Sequence, residues 1–195
     1  MNKKIAWIMV IAAAIFASKA EAEEVVTWRE DVSGWAIIVD RTLNDGCFAV
    51  LCFEGGTCLR IQLNVPGEQV KFFVGNDDWQ SLEVGKLYDL EVRFGSRPPW
   101  TGRASVRRFS PGMPSLVMNV PFDDDRAWNF IDEFMRMTGV RISYSGNVIA
   151  HLSLRGTYAA MQEVFKCQAA MIESGQGVRS DPFAPPPRRG SDPFR

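Results

Sequence analysis

The stretch from Cys47 to Leu63 constrains the chain more than any other. Two apolar runs, Cys47 to Phe53 and Cys58 to Leu63, flank Gly55-Gly56, and three of the four cysteines lie within them. Gly-Gly supplies the positive φ that a tight hairpin needs, so the stretch predicts two antiparallel strands. Side chains alternate faces along a strand. Cys47, Ala49, Leu51 and Phe53 then share one face, as do Leu59, Ile61 and Leu63 on the second strand. With those faces toward the core, Cys52 and Cys58 point the other way and flank the turn nearly opposite each other.

Directly opposed strand residues have Cβ atoms about 4.5–5.5 Å apart, within reach of a disulfide. Cys52–Cys58 is therefore the expected cross-strand bridge. Cys47 faces inward, and Cys167 is the cysteine left for it. Four cysteines allow three pairings, and spacing alone leaves the other two open. Structural zinc is the competing use of the thiols. It usually takes two C-x₂₋₄-C or H-x₃₋₅-H pairs, whereas the spacings here are C-x₄-C and C-x₅-C with no second pair nearby.

The N-terminus reads as an export signal. Lys3 and Lys4 precede an apolar run from Ile5 to Ala17, and Ala20-Glu21-Ala22 offers an A-x-A cleavage site. The run is shorter than the roughly 20 residues a membrane span needs. The expectation is cleavage after Ala22 and a periplasmic mature chain, with no transmembrane segment left. An oxidising compartment would allow stable disulfides. Removing residues 1–22 takes away Lys3, Lys4, Lys19 and Glu21, which moves the net charge from −1 to −3. A weakly acidic domain has no general attraction for phosphate backbones, so nucleic acid is disfavoured as a partner.

Beyond the signal, the first two thirds of the chain alternate as strands. Val25-Val26-Thr27-Trp28, Trp35 to Asp40, Val70 to Val74 and Leu87 to Phe94 are separated by turn residues, among them Asn44-Asp45-Gly46. Gly102 to Phe109 and Leu116 to Val120 add two weaker strands. Between Asp123 and Thr138 the apolar positions Ala127, Phe130, Ile131 and Phe134 fall on one helix face. The Asp123-Asp124-Asp125 run suits its N-cap, and Gly139 suits its C-terminal stop. Val140 to Tyr144 and Asn147 to Leu154 form a hairpin in which Val148, Ala150, Leu152 and Leu154 share a face. A second helix opens with Thr157 as N-cap and turns Ala160, Val164, Cys167 and Met171 inward. Cys167 and Cys47 thus point to the core from two independent periodicities.

The predicted fold is α+β: a mostly antiparallel sheet, curved or folded into a sandwich, with two C-terminal helices packed on it. Three regions follow: a signal peptide over 1–22, one disulfide-bonded domain over 23–173, and a Pro/Arg-rich tail over 174–195. The tail repeats Ser180-Asp181-Pro182-Phe183 as Ser191-Asp192-Pro193-Phe194. Its composition predicts disorder, and the doubled motif could also serve as a bivalent linear ligand.

Few residues suggest chemistry. His151 is the one histidine, and alternation turns it outward. No G-x-S-x-G elbow, H-E-x-x-H pair or phosphate-binding loop occurs, so no catalytic, cofactor or metal residues are expected. Asp77-Asp78 and Asp123-Asp124-Asp125 fit turns and caps better than a calcium loop. Arg97, Trp100, Arg103 and Arg107, with Arg108, place cations and an indole in one segment, a possible patch for an anionic glycan, a lipid headgroup or an acidic protein. Charge that blunts a solvated edge strand is the plainer reading of these residues.

Three features together resemble exported alphaproteobacterial proteins of the invasion-associated locus B family. Trp35-Ala36-Ile37-Ile38-Val39 is an early Trp running into an aliphatic strand, and Cys47 opens the next strand. Leu152-Ser153-Leu154-Arg155-Gly156-Thr157-Tyr158-Ala159-Ala160-Met161 is an aliphatic strand, a glycine and an Ala-rich helix. The resemblance spans Trp28 to Cys167. It implies a small periplasmic protein with an envelope or host-association role, and it transfers no active site. The expected function is a non-catalytic periplasmic binding or envelope-associated protein with a protein or envelope partner. A periplasmic inhibitor or immunity protein, blocking an enzyme or toxin, is the alternative.

Overall fold

The computed structural model describes residues 25–43, 46–66, 68–109, 112–123 and 125–174. The segment expected to be a signal, Asn44-Asp45 of the Asn44-Asp45-Gly46 turn, Asp124 of the expected cap, and the tail past Ser174 lie outside the described residues. Ten strands form one sheet: β1 (Val25–Val32), β2 (Trp35–Asp40), β3 (Gly46–Cys52), β4 (Thr57–Asn64), β5 (Gln69–Asn76), β6 (Leu87–Phe94), β7 (Trp100–Phe109), β8 (Met113–Pro121), β9 (Gly139–Tyr144) and β10 (Asn147–Ser153). Helix α1 (Arg126–Arg136) precedes β9, and α2 (Thr157–Glu173) follows β10. The order across the sheet is β1-β2-β3-β4-β5-β8-β7-β6-β9-β10, and every neighbouring pair is antiparallel. Both helices contact the sheet, which gives the α+β class expected from the alternation and the two helical faces.

The sheet is open but strongly curled. In a flat sheet β5 and β6, three strands apart, would be about 14 Å from each other. Yet the Phe72 and Phe94 ring centroids are 6.3 Å apart. Curling brings both rings onto Phe130 of α1, at 5.4 and 5.0 Å. Trp35 and Phe94 meet Phe134, one helical turn further on, at 5.8 and 6.2 Å. Edge-to-face pairs such as these contribute about 0.5–1.5 kcal/mol each beyond their buried area. The two ends of the sheet come together near the start of α2, where the Trp35 indole N–H donates to the Arg155 carbonyl at 3.0 Å.

Two disulfides join this frame. Cys47 on β3 bonds Cys167 on α2, with Cα atoms 6.1 Å apart. Cys52 and Cys58 are directly opposed across the β3–β4 hairpin, with Cα atoms 4.0 Å apart. Gly55 and Gly56 both have positive φ in the turn. Cys47, Ala49, Leu59, Ile61, Ala160, Val164 and Cys167 are all fully buried. The thiols are therefore consumed in covalent bonds, and no cysteine is free.

Four local expectations are corrected. Helix α1 runs from Arg126 to Arg136, inside the Asp123–Thr138 segment, but Asp125 before it makes no side-chain cap. Its ψ of 5° is far from the extended backbone that aims a capping oxygen at the first N–H groups. At the other end the chain leaves the helix through extended Met137, so Gly139 opens β9 instead of stopping α1. Thr157 does not cap α2. Gly156 holds that place with φ +87°, and the Thr157 hydroxyl donates back to the Leu154 carbonyl at 2.8 Å. Val148 leaves the face of Ala150 and Leu152 because a bulge breaks the β9–β10 register between residues 148 and 150. It is 54% exposed.

Candidate functional site

Opposite the helices, the outer face of the sheet carries the charged side chains. Its foundation is a buried polar group on β2 to β5. Arg60 pairs with Asp40 and hydrogen-bonds the Gln62 amide oxygen. Its guanidinium lies over the Phe48 and Phe73 rings, at 3.6 and 4.6 Å. The Gln62 amide donates to the Gly46 carbonyl at 3.2 Å. Burial lowers the Arg60 pKa, and the hydrogen bond and charge of Asp40 oppose that shift. A guanidinium enclosed by rings and one carboxylate is held in a single position.

Above this foundation are three cations. Lys71 on β5 is half-buried and sits opposite Asn119 of β8. Arg103 precedes Ala104, which pairs with Met118, so in continued register Arg103 neighbours Asn119 from β7. Arg107 lies further along the same face of β7, opposite Ser115. Burial lowers the Lys71 pKa most, the charges of Arg107 and Arg60 lower it further, and Asp40 pulls it back. None of Lys71, Arg103 and Arg107 forms an ion pair among the described residues.

Arg103 also borders a groove of about 580 Å³ over β6, β7 and β9. Asp89, Glu91, Thr101, Ser143 and Ser145 complete its polar lining. Asp89 faces Arg103 in register across β6 and β7. The groove therefore has one acidic wall and one basic wall.

The structure divides the residues that the sequence grouped by proximity. Arg103 and Arg107 share the exposed outer face. Arg97 is exposed in the β6–β7 turn, where its backbone N–H bonds the Phe94 carbonyl. Trp100 lies on the helix side. Its ring meets Phe130 at 5.3 Å, and its indole N–H donates to Glu133 at 2.8 Å. Lys71 replaces it as the third member of the outer group. Residue parity on β7 separates Trp100 from the two arginines, and no local signal points to Lys71, because strand order alone brings β5 near β7. His151 is exposed on β10, opposite Arg141. Among the described residues no three His, Cys, Asp or Glu side chains gather where they could hold a metal ion, and no helix is long and apolar enough to cross a membrane.

These features define a disulfide-stapled α+β domain with a charged outer sheet face. Comparison with protein-family models, with curated proteins and with solved structures gave no match for the chain, invasion-associated locus B proteins included.

Proposed function

We propose that the chain is an exported, non-catalytic binding protein of the cell envelope, and that it holds an anionic envelope component on Lys71, Arg103 and Arg107. The observation that carries this reading is the placement on one strand-built face of three cations that form no ion pair among the described residues, Asp89 facing Arg103 in register without bonding it. Burial lowers the Lys71 pKa most, and the charges of Arg107 and Arg60 lower it further. An anion laid among the three cations would relieve their mutual repulsion. Asn119 adds a neutral polar group between Lys71 and Arg103. The two disulfides are compatible with an oxidising exported compartment, and the marks shared with invasion-associated locus B proteins favour the periplasm.

Cell fractionation and N-terminal sequencing test the export part. The expected result is an oxidised periplasmic protein beginning at Glu23; a reduced cytosolic protein with an intact N-terminus would overturn it. Co-sedimentation of the oxidised protein with isolated envelopes tests the binding part. Binding should fall with rising salt, and fall at least tenfold in the Lys71→Gln, Arg103→Gln, Arg107→Gln triple variant. Full binding by that variant would remove the assigned face.

A further inference from the structure

We infer that the outer face carries a second oxyanion site, distinct from the Lys71 group, in the row Arg93, Arg141 and His151. Strand register builds the row: Arg93 of β6 faces Arg141 of β9, which faces His151 of β10. Val92, Val140, Ile142, Ala150 and Leu152 beside them are buried on the helix face, so the three polar side chains emerge together on the outer one. Arg141 and His151 are exposed and Arg93 is partly exposed. Adjacent strands are about 4.8 Å apart, so the row spans roughly 10 Å.

The fold itself gains little from this arrangement. Like charges directly opposed across strands are destabilising. Charge on an edge strand can guard against unwanted pairing, and that accounts for a polar residue at His151 on β10. It does not account for Arg93 and Arg141, since β6 and β9 are interior strands paired on both sides. Arg93 spends one nitrogen on Glu91, at 3.2 Å. Its Nε–H is buried without an acceptor among the described residues. Arg141 has no hydrogen-bond or ion-pair partner among the described residues. Two guanidinium groups facing across a strand pair offer forked donors to one tetrahedral oxyanion, and the imidazole can add a further N–H. The ligand chemistry is therefore a phosphate- or sulfate-type oxyanion, either free or carried as a lipid headgroup.

The test uses the oxidised mature chain and follows amide NMR shifts during titration with inorganic phosphate. Saturable shifts centred on Arg141 and His151 are expected, at least tenfold weaker in affinity in Arg141→Gln and unchanged in Lys71→Gln. Arg141→Lys should retain only part of the affinity, because it keeps the charge and loses the fork. A parallel flotation assay with phosphatidylglycerol vesicles separates the sources. Vesicle capture lost in Arg141→Gln identifies a headgroup, whereas phosphate binding without capture identifies the free anion. No saturable shift at these strands, or equal shifts in a folded Arg93→Gln, Arg141→Gln double variant, would overturn the site. Loss of the shifts in Lys71→Gln would also overturn it, by moving the ligand to the other group. The envelope-binding reading rests on Lys71, Arg103 and Arg107, so the two can fail separately.

Discussion

The Cys47 backbone N–H donates to the Gln168 side-chain oxygen at 3.0 Å, one residue beyond the cysteine to which Cys47 is covalently bonded. Gln168 is itself buried. The contact between β3 and α2 thus combines a covalent bond, a buried hydrogen bond and the apolar packing of Ala160 and Val164.

The two disulfides should contribute unequally to stability. Cross-linking restricts the unfolded chain more as the closed loop lengthens. The Cys47–Cys167 bond spans 120 residues and Cys52–Cys58 spans 6. On the loop-entropy relation the first stabilises by about 5 kcal/mol and the second by about 2. Urea unfolding of the Cys47→Ala, Cys167→Ala and Cys52→Ala, Cys58→Ala double variants measures both. The first should lose more, and equal losses would show that loop entropy does not govern this fold.

Gly156 should resist substitution far more than Gly34, though their φ values are nearly equal at +87° and +92°. A Cβ at Gly34 meets nothing within 4 Å, whereas one at Gly156 would lie 2.5 Å from the Ser33 carbonyl oxygen. Gly34→Ala should therefore cost only the left-handed backbone term, about 1–2 kcal/mol. Gly156→Ala must also force the β1–β2 turn away from the start of α2. Its loss should exceed that of Gly34→Ala by at least about 1 kcal/mol in the same urea assay. Equal losses would mean that the contact with Ser33 yields freely.

Trp100→Phe separates what the sequence grouped. Loss of the indole N–H leaves Glu133 without its donor, at a cost of about 1–2 kcal/mol. Anion binding on the outer face should not change, because the ring packs on Phe130. A tenfold loss of envelope binding with little loss of stability would instead restore Trp100 to the ligand patch.

The legible parts of the fold were those set by short-range periodicity. Alternation around the Gly55-Gly56 turn placed Cys52 opposite Cys58, and a 3.6-residue period turned Cys167 inward. Phe130 and Phe134 emerged from the same kind of pattern. A curved sheet was expected from the run of strands, but which strands close on one another was not legible, because that depends on rings from strands three places apart meeting on Phe130. The bulge near Val148 shifts the outward positions at the start of β10, and no glycine or proline lies within the Val148–Ala150 irregularity itself to announce it. Alternation held the information that parts Trp100 from Arg103, but grouping by segment concealed it. Lys71 and Arg141 join their clusters through strand order, which pattern along the chain does not encode.

Lys71 also makes a test by pH. Its pKa is lowered in the folded protein, most of all by burial and then by Arg107 and Arg60. Between the native value and the ordinary lysine value near 10.4, the unfolded chain binds more protons than the native one. Stability contributed by this group must therefore rise as pH climbs through that window, the reverse of a lysine held in an ion pair. At neutral pH both states are protonated, and the crowded native ammonium is a cost. Lys71→Gln should then be at least as stable as the parent at pH 7, and its advantage should shrink as pH approaches 10. Melting temperatures of both proteins across pH 7 to 10 give the comparison. A variant less stable at pH 7, with a gap that does not narrow at higher pH, would show that Lys71 is held by a partner rather than pressed by its neighbours.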